Sequence, residues 1–342
     1  MKRYFKGKQI LITGGTGSIG SEIVRQLLKY KPKTIRIYSR DEYKQYMMRQ
    51  EMKKYRNLRY LIGDVRDKER LMMAMENIDI VYHTAAIKHV PIAEYNPFET
   101  VKTNVIGTQN VVDCALAQGV KLFIGISTDK AAEPVNVMGA TKLLGEKIIT
   151  SAMFYKGSKK TIFSSVRFGN VLGSRGSVIP LFINQIKKGG PVTVTDPEMT
   201  RFFITIPNAV QLIFKATKLT SGGEVFILKM PVIKLGDLVD VLIKYCAPQF
   251  GFKSKDIKVK IINPRPGEKH FELLLTEIES QFAVETTDMY IILPHPEFKV
   301  SLKQGNLKLY NTKKLQMREY SSRGIPLNKN QIMRLIKQLK IL

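Results

Sequence analysis

Ser127-Thr128-Asp129-Lys130, with Met138 and Lys142 following shortly after, gathers an alcohol, a carboxylic acid and two amines in a short span. The run comes directly after apolar Leu122–Ile126, which reads as a buried strand. The group therefore belongs at the carboxyl edge of a parallel sheet, where open α/β folds bind ligands. Such a set is equipped to move protons on a bound substrate. A second group stands near the start of the chain, Thr13-Gly14-Gly15-Thr16-Gly17-Ser18-Ile19-Gly20. Its Gly15-x-Gly17-x-x-Gly20 spacing, after a strand and opening a helix, is that of a dinucleotide loop. The glycines permit the tight turn, the backbone approach to pyrophosphate and close helix–strand packing. The phosphate then sits on the positive helix terminus. Together the two groups suggest a redox cofactor coupled to acid/base chemistry.

The elements that must position these groups alternate. Gln9–Thr13, Thr34–Tyr38, Leu58–Ile62, Ile78–Tyr82, Lys121–Ile126 and Thr161–Arg167 read as strands. Ser18–Tyr30, Asp41–Lys54, Thr100–Ala117 and Asn136–Ala152 read as helices. Short connections between strand and helix predict an α/β fold with a doubly wound parallel Rossmann sheet. After Phe168 the rhythm breaks, glycine and proline become frequent, and a smaller mixed α/β substrate-binding domain is expected. The reading is a dinucleotide-binding domain over 1–170 and a nucleotide-sugar-binding domain over 171–342, with segments free to interleave. Asn208–Lys218, Leu235–Tyr245 and Asn328–Leu339 read as its helices and Ile257–Ile262 as a strand.

The 342 residues with 44% hydrophobic content suit one large and one smaller domain with a substantial core. Cys114 and Cys246 form no metal or redox pair, and His83, His89, His270 and His295 make no ligand array, so no metal site is expected. No apolar run approaches a membrane span or a signal h-region, so a soluble, cytoplasmic protein is expected. The net charge of +26 is scattered rather than focused on one face. That argues against nucleic acid as partner and fits a phosphate-rich small substrate.

The second strand ends in Ser39-Arg40, where an NAD site usually places an acid. A hydroxyl and a guanidinium suit a 2′-phosphate instead, which favours NADP with NAD as runner-up. The alternative leaves Arg40 as a surface charge and gives the ribose to Asp41. Asp64 either accepts from the adenine amino group or caps the helix starting near Asp67. Ala85 and Ala86 are small enough to admit the cofactor to the backbone.

These motifs resemble the extended short-chain dehydrogenase/reductase superfamily, and more narrowly its UDP-N-acetylglucosamine 4,6-dehydratases of polysaccharide biosynthesis. The likeness also runs through Gly63–Asp67, Ala85–Pro91, Lys102-Thr103-Asn104, Arg167–Ser174, Met199–Phe202 and Arg265–Lys269. It implies hydride removal from sugar carbon 4 to NADP, loss of water across carbons 5 and 6, and hydride return to carbon 6. It gives Asp129 the protonation of the departing hydroxyl, which needs a raised pKa. It gives Lys130 the carbon 5 proton, which needs a lowered pKa. Thr128 bonds the carbon 4 oxygen, and Lys142 holds the nicotinamide ribose. Val65, Lys88 and Asn104 fall on the cofactor side. Lys88, Asn170 and Arg175 line the sugar and pyrophosphate, Arg201 and Arg265 clamp phosphate, Glu268 takes the uridine ribose, and Thr195 meets the uracil edge. The superfamily's usual Tyr-x-x-x-Lys is here Met138-x-x-x-Lys142, and a thioether transfers no proton. The carbon 4 proton must leave through Asp129, Thr128 or water. The resemblance also implies a homo-oligomer, a dimer or higher. Competing readings are an epimerase, a dehydratase of another sugar, or a non-catalytic NADP-binding module.

Overall fold

Apolar residues crowd both faces of the central strands because the sheet is covered on both sides. In β1 (Gln9–Thr13), Ile10 and Ile12 enter one core while Leu11 enters the other, all three fully buried. Each such side chain contributes ~1.5–3 kcal/mol over its exposed state. A computed structural model describes residues 1–264, 267–295, 297 and 313–339. The strands that follow are β2 (Thr34–Ser39), β3 (Leu58–Ile62), β4 (Ile80–His83), β5 (Leu122–Ile126), β6 (Ile162–Arg167), β7 (Asn170–Leu172), β8 (Val192–Val194) and β9 (Thr200–Thr205). Then come β10 (Val225–Leu228), β11 (Val232–Lys234), β12 (Val259–Ile261), β13 (Leu273–Leu275), β14 (Ala283–Glu285), β15 (Met289–Ile292), β16 (Lys313–Lys314) and β17 (Tyr320–Ser321).

The main sheet runs β16-β14-β15-β10-β6-β5-β4-β1-β2-β3. From β3 through β10 every pairing is parallel, and β15, β14 and β16 add antiparallel at the edge. The order reverses between β1 and β4, which opens the ligand crevice at their carboxyl ends. This is the doubly wound α/β architecture. Four strands of the main sheet, β10 and β14 to β16, come from the second half of the chain. The smaller unit has its own core, with Phe182, Phe203, Leu238, Leu242 and Ile336 among its buried members.

Two local departures from the sequence reading bear on the site. The helix expected over Thr100–Ala117 is broken into Pro97–Val101, a π-helical turn at Lys102–Ile106, and Gly107–Ala117. Gly107 lies so close to Val65 that a Cβ would sit 2.6 Å from Val65 Cγ2. A short helix, Val90–Tyr95, with Pro91 in its first turn, follows the β4 loop. Both cysteines are buried as free thiols. Among the described residues no helix is long and apolar enough to cross a membrane.

Candidate active site

Backbone geometry makes the glycine loop a cradle. Gly14 adopts φ +66°, and a Cβ there would sit 2.8 Å from the backbone of Ala85. At Gly20 a Cβ would sit 2.5 Å from the carbonyl oxygen of Gly14, so helix and loop touch only because both are glycine. Gly17 is the N-cap of the Ser18–Leu28 helix, and among the described residues no side chain caps it. Its first-turn amides therefore suit an anion such as a pyrophosphate. Ile19 packs on the core behind the loop, Val65 is buried, and Ala85 and Ala86 line the adjoining edge.

At the end of β2, Ser39 is buried and its hydroxyl accepts from Thr16 Oγ1 at 3.2 Å and Gln45 Nε2 at 3.0 Å. Arg40 is exposed, with one guanidinium nitrogen 3.6 Å from Asp64. Asp41 caps the Glu42–Glu51 helix by accepting from Lys44 N at 2.9 Å. The capping alternative for Asp64 also falls: Asp67 caps the next helix, accepting from Arg70 N. Asp64 instead holds Arg66 through its amide at 2.9 Å and its guanidinium at 2.7 Å. Burial works against the charged form, but Arg66 and Arg40 hold the Asp64 carboxyl below its ordinary value.

The acid/base triplet sits on the turn after β5, anchored by Asp129 N donating to Phe168 O at 3.1 Å. Asp129 is fully buried. Its Oδ1 accepts from Thr128 Oγ1 at 2.9 Å and from Lys130 Nζ at 2.9 Å. Its Oδ2 is buried with no hydrogen-bond partner among the described residues. Gly169 leaves room beside that oxygen, since a Cβ there would lie 3.1 Å from it. Lys130 Nζ also meets Glu272 Oε1 at 3.1 Å. Burial would depress the Lys130 ammonium, but the Asp129 and Glu272 carboxylates outweigh it and hold the group above its ordinary value. The lowered pKa expected of Lys130 is thus corrected: the resting residue is a paired ammonium.

The depressed lysine is Lys142. Burial pushes it down to about 8, with Glu146 acting in the opposite direction. Its Nζ donates to Ile126 O at 2.5 Å, at the root of the triplet. Met138 is buried one turn earlier on the Val137–Tyr155 helix, whose N-cap Asn136 accepts from Gly139 N at 2.8 Å. Asn104, expected beside the cofactor, is buried with its amide engaged. It accepts from Ile87 N at 2.8 Å and donates to Ile87 O at 2.9 Å and Thr141 Oγ1 at 3.1 Å. It ties the β4 loop to the helix of Met138 and Lys142.

On the substrate side the structure gives several residues definite partners. Arg175, expected along the sugar and pyrophosphate, closes over the glycine loop. Its amide donates to Ser18 Oγ at 3.1 Å and its guanidinium to Thr16 O. Lys88 Nζ donates to Arg175 O at 2.7 Å, so these two do come together. Arg201 was expected as a phosphate clamp, yet it is buried with donors on Lys269 O at 2.6 Å and His270 O at 3.0 Å. It anchors the segment that contains half-buried Glu268. Lys269 Nζ in turn donates to Glu133 O at 2.5 Å, docking that segment just after the Thr128–Lys130 turn. Asn170 opens β7 opposite Phe203, and Thr195 follows β8 with its hydroxyl on Met199 Sδ at 3.6 Å. Arg265 lies outside the described residues.

Glu272 is the site residue the sequence reading missed. It immediately precedes β13 and is buried. The only signal for it was a lone acid inside an apolar run, Phe271-Glu272-Leu273-Leu274-Leu275.

The profile of a family described as polysaccharide biosynthesis protein matches residues 10–294. The chain is 51% identical over 342 residues to an uncharacterised membrane protein of Methanocaldococcus jannaschii, covering 100% of this chain and 99% of that one. It is 47% identical over 295 residues to a UDP-N-acetylglucosamine 4,6-dehydratase (inverting) of Campylobacter jejuni, covering 85% of this chain and 84% of that one. It is 39% identical over 331 residues to a UDP-glucose 4-epimerase of Rickettsia rickettsii, covering 92% and 94%. The X-ray structure of Pen from Bacillus thuringiensis is similar with a TM-score of 0.91 at 48% identity, over 99% of this chain and 100% of that one.

Proposed function

The chain belongs to the polysaccharide biosynthesis protein family, among the short-chain dehydrogenase/reductase enzymes that dehydrate or epimerise nucleotide sugars, and we propose that it is an NADP-dependent UDP-N-acetylglucosamine 4,6-dehydratase. The observation that carries this reading is the Thr128–Asp129–Lys130 cluster around the buried Asp129 carboxyl, joined by two 2.9 Å contacts, at the carboxyl edge of β5. The name of the Campylobacter relative supports the substrate.

The glycine cradle, with positive φ at Gly14 and no side-chain cap on the helix that follows Gly17, fits a dinucleotide pyrophosphate. Exposed Arg40 at the end of β2 suits the 2′-phosphate of NADP over NAD. When bound, this cofactor supplies a hydride acceptor for carbon 4 and a donor for carbon 6. The chain's own residues handle the protons. A shift along the Lys130–Asp129 contact converts ammonium and carboxylate into amine and carboxylic acid. The amine takes the carbon 5 proton as the carbon 5–carbon 6 double bond forms. The acid protonates the carbon 6 hydroxyl, which leaves as water. Thr128 orients the carbon 4 oxygen, whose hydroxyl proton passes to water as carbon 4 is oxidised. The Lys130 ammonium gives a proton to carbon 5 as carbon 6 is reduced and regains one from water, and Lys142 holds the nicotinamide ribose. Asn170, Thr195, Arg265 and Glu268 stand as substrate-side proposals.

An epimerase is the second reading, favoured by the Rickettsia relative. Met138 weighs against an ordinary tyrosine-dependent epimerase, because a thioether cannot take the proton of the carbon 4 hydroxyl, and an acid paired with a base, as in Asp129 and Lys130, is what an elimination needs in addition. Mass spectrometry on UDP-N-acetylglucosamine separates the two: the dehydratase removes one water, whereas an epimerase leaves the mass unchanged. Ile106 on the π-helical turn and Leu144 on the Val137–Tyr155 helix are exposed apolar side chains and support a homo-oligomer.

A further inference from the structure

We propose that Glu272 is a positioning residue for the acid/base pair, holding the Lys130 ammonium between two carboxylates and keeping the site charge-balanced when the proton passes to Asp129. The inference deepens the dehydratase reading and rests on it for the reaction served.

The groups facing Lys130 come from three elements. The catalytic turn supplies Asp129, at 2.9 Å from Nζ. The residue before β13 supplies Glu272, at 3.1 Å. Strand β9 supplies Arg201, whose Nε lies 3.8 Å from the same Glu272 oxygen. Asp129 and Glu272 are almost completely buried, and Arg201 is nearly so. The four formal charges cancel. When the Lys130 proton moves to Asp129, both become neutral. Glu272 and Arg201 remain as a pair, so no buried charge is stranded. Without Glu272, the same transfer would leave Arg201 as a lone cation in the site. Glu272 thus has two cationic neighbours and keeps one in either proton state.

Its placement is built rather than incidental. Glu272 N donates to Ser322 Oγ at 2.9 Å, Ser322 N donates to Glu272 O at 2.9 Å, and Ser322 Oγ donates to Thr200 O at 3.0 Å. Both Glu272 Oε2 and Asp129 Oδ2 are buried without a hydrogen-bond partner among the described residues. Two carboxylates converging on one ammonium, each with a free buried oxygen, is more than a fold requires. Together they hold Lys130 above its ordinary proton affinity even though burial opposes it.

The test reads Lys130 directly. The full-length protein is labelled with acetic anhydride across alkaline pH, and acetylation of Lys130 is followed by peptide mass spectrometry. Only the neutral amine reacts. Glu272→Gln is expected to lower the half-labelling pH by about one unit or more, a tenfold or greater loss of proton affinity, as removal of a close opposite charge does. Glu272→Asp, which retains the charge, is expected to restore most of it. Should Glu272→Gln not fold, Ser322→Ala removes the hydroxyl that holds the Glu272 backbone amide, loosens the placement of its carboxylate and moves the half-labelling pH the same way by less. An unchanged half-labelling pH in the variant that folds overturns the proposal. Loss of water from UDP-N-acetylglucosamine is measured separately. A labelling shift in a protein that never dehydrates that sugar removes the dehydratase reading and leaves the Glu272–Lys130 coupling standing.

Discussion

Arg167 and Glu279 meet fork to fork, at 2.9 and 2.8 Å, across the junction between the main sheet and the second half of the chain. The guanidinium is fully buried and also donates through Nε to Glu146 at 3.1 Å and through Nη1 to Leu274 O at 2.9 Å. One side chain therefore joins β6, the Val137–Tyr155 helix and β13, which is the strand that delivers Glu272.

Removing that guanidinium leaves Glu146 and Glu279 as unpaired, mostly buried charges. Arg167→Met is expected to cost about 3–5 kcal/mol, the usual penalty for breaking one side of a buried pair. Urea unfolding of the purified variant measures it. A loss below ~1 kcal/mol would mean the cluster is better solvated than its burial indicates.

The proposed mechanism rests turnover on Asp129 and Lys130. Asp129→Asn and Lys130→Ala are each expected to reduce water loss from UDP-N-acetylglucosamine by at least ~100-fold, the scale of a positioned acid or base. Met138→Tyr is expected to leave the rate nearly unchanged. Full activity in Lys130→Ala would remove the lysine from the mechanism.

The glycine loop tolerates no side chain at Gly14. Alanine there takes a left-handed conformation costing about 1–3 kcal/mol and drives its Cβ to 2.8 Å from the Ala85 backbone. The expected result is a lower melting temperature together with loss of NADPH binding in a fluorescence titration.

Cofactor choice is assigned to Arg40. Arg40→Ala is expected to weaken NADP binding by about 1.5–3 kcal/mol, the worth of a charged hydrogen bond, and to leave NAD binding nearly untouched. Tighter binding of NAD than NADP by the unaltered protein would overturn the assignment.

Lys142 gives stability a pH dependence. Its folded value of about 8 lies below the ordinary 10.5, so between those values the unfolded chain binds a proton that the folded chain has released. Stability from this group therefore rises with pH across that window and is at its lowest below it. Urea midpoints from neutral to alkaline pH are expected to show the rise, and Lys142→Met to flatten it.

Much of this was legible in the chain because it is local. The strand of Gln9–Thr13, the glycine spacing to Gly20 and the i, i+4 placement of Met138 and Lys142 follow from backbone sterics and helical period, which neighbouring residues set alone. What the structure decided was which charges meet. Lys130 reads in sequence as a base in need of a depressed pKa, but folding lays Glu272 against it. Arg201 reads as a phosphate clamp, but it is turned inward onto Lys269 and His270. Asn104 is drawn onto Ile87 and Thr141 by a π-helical turn that periodicity did not announce. A side chain's proton affinity and donors depend on groups within a few ångströms, and only tertiary packing brings residues from distant parts of the chain to that range.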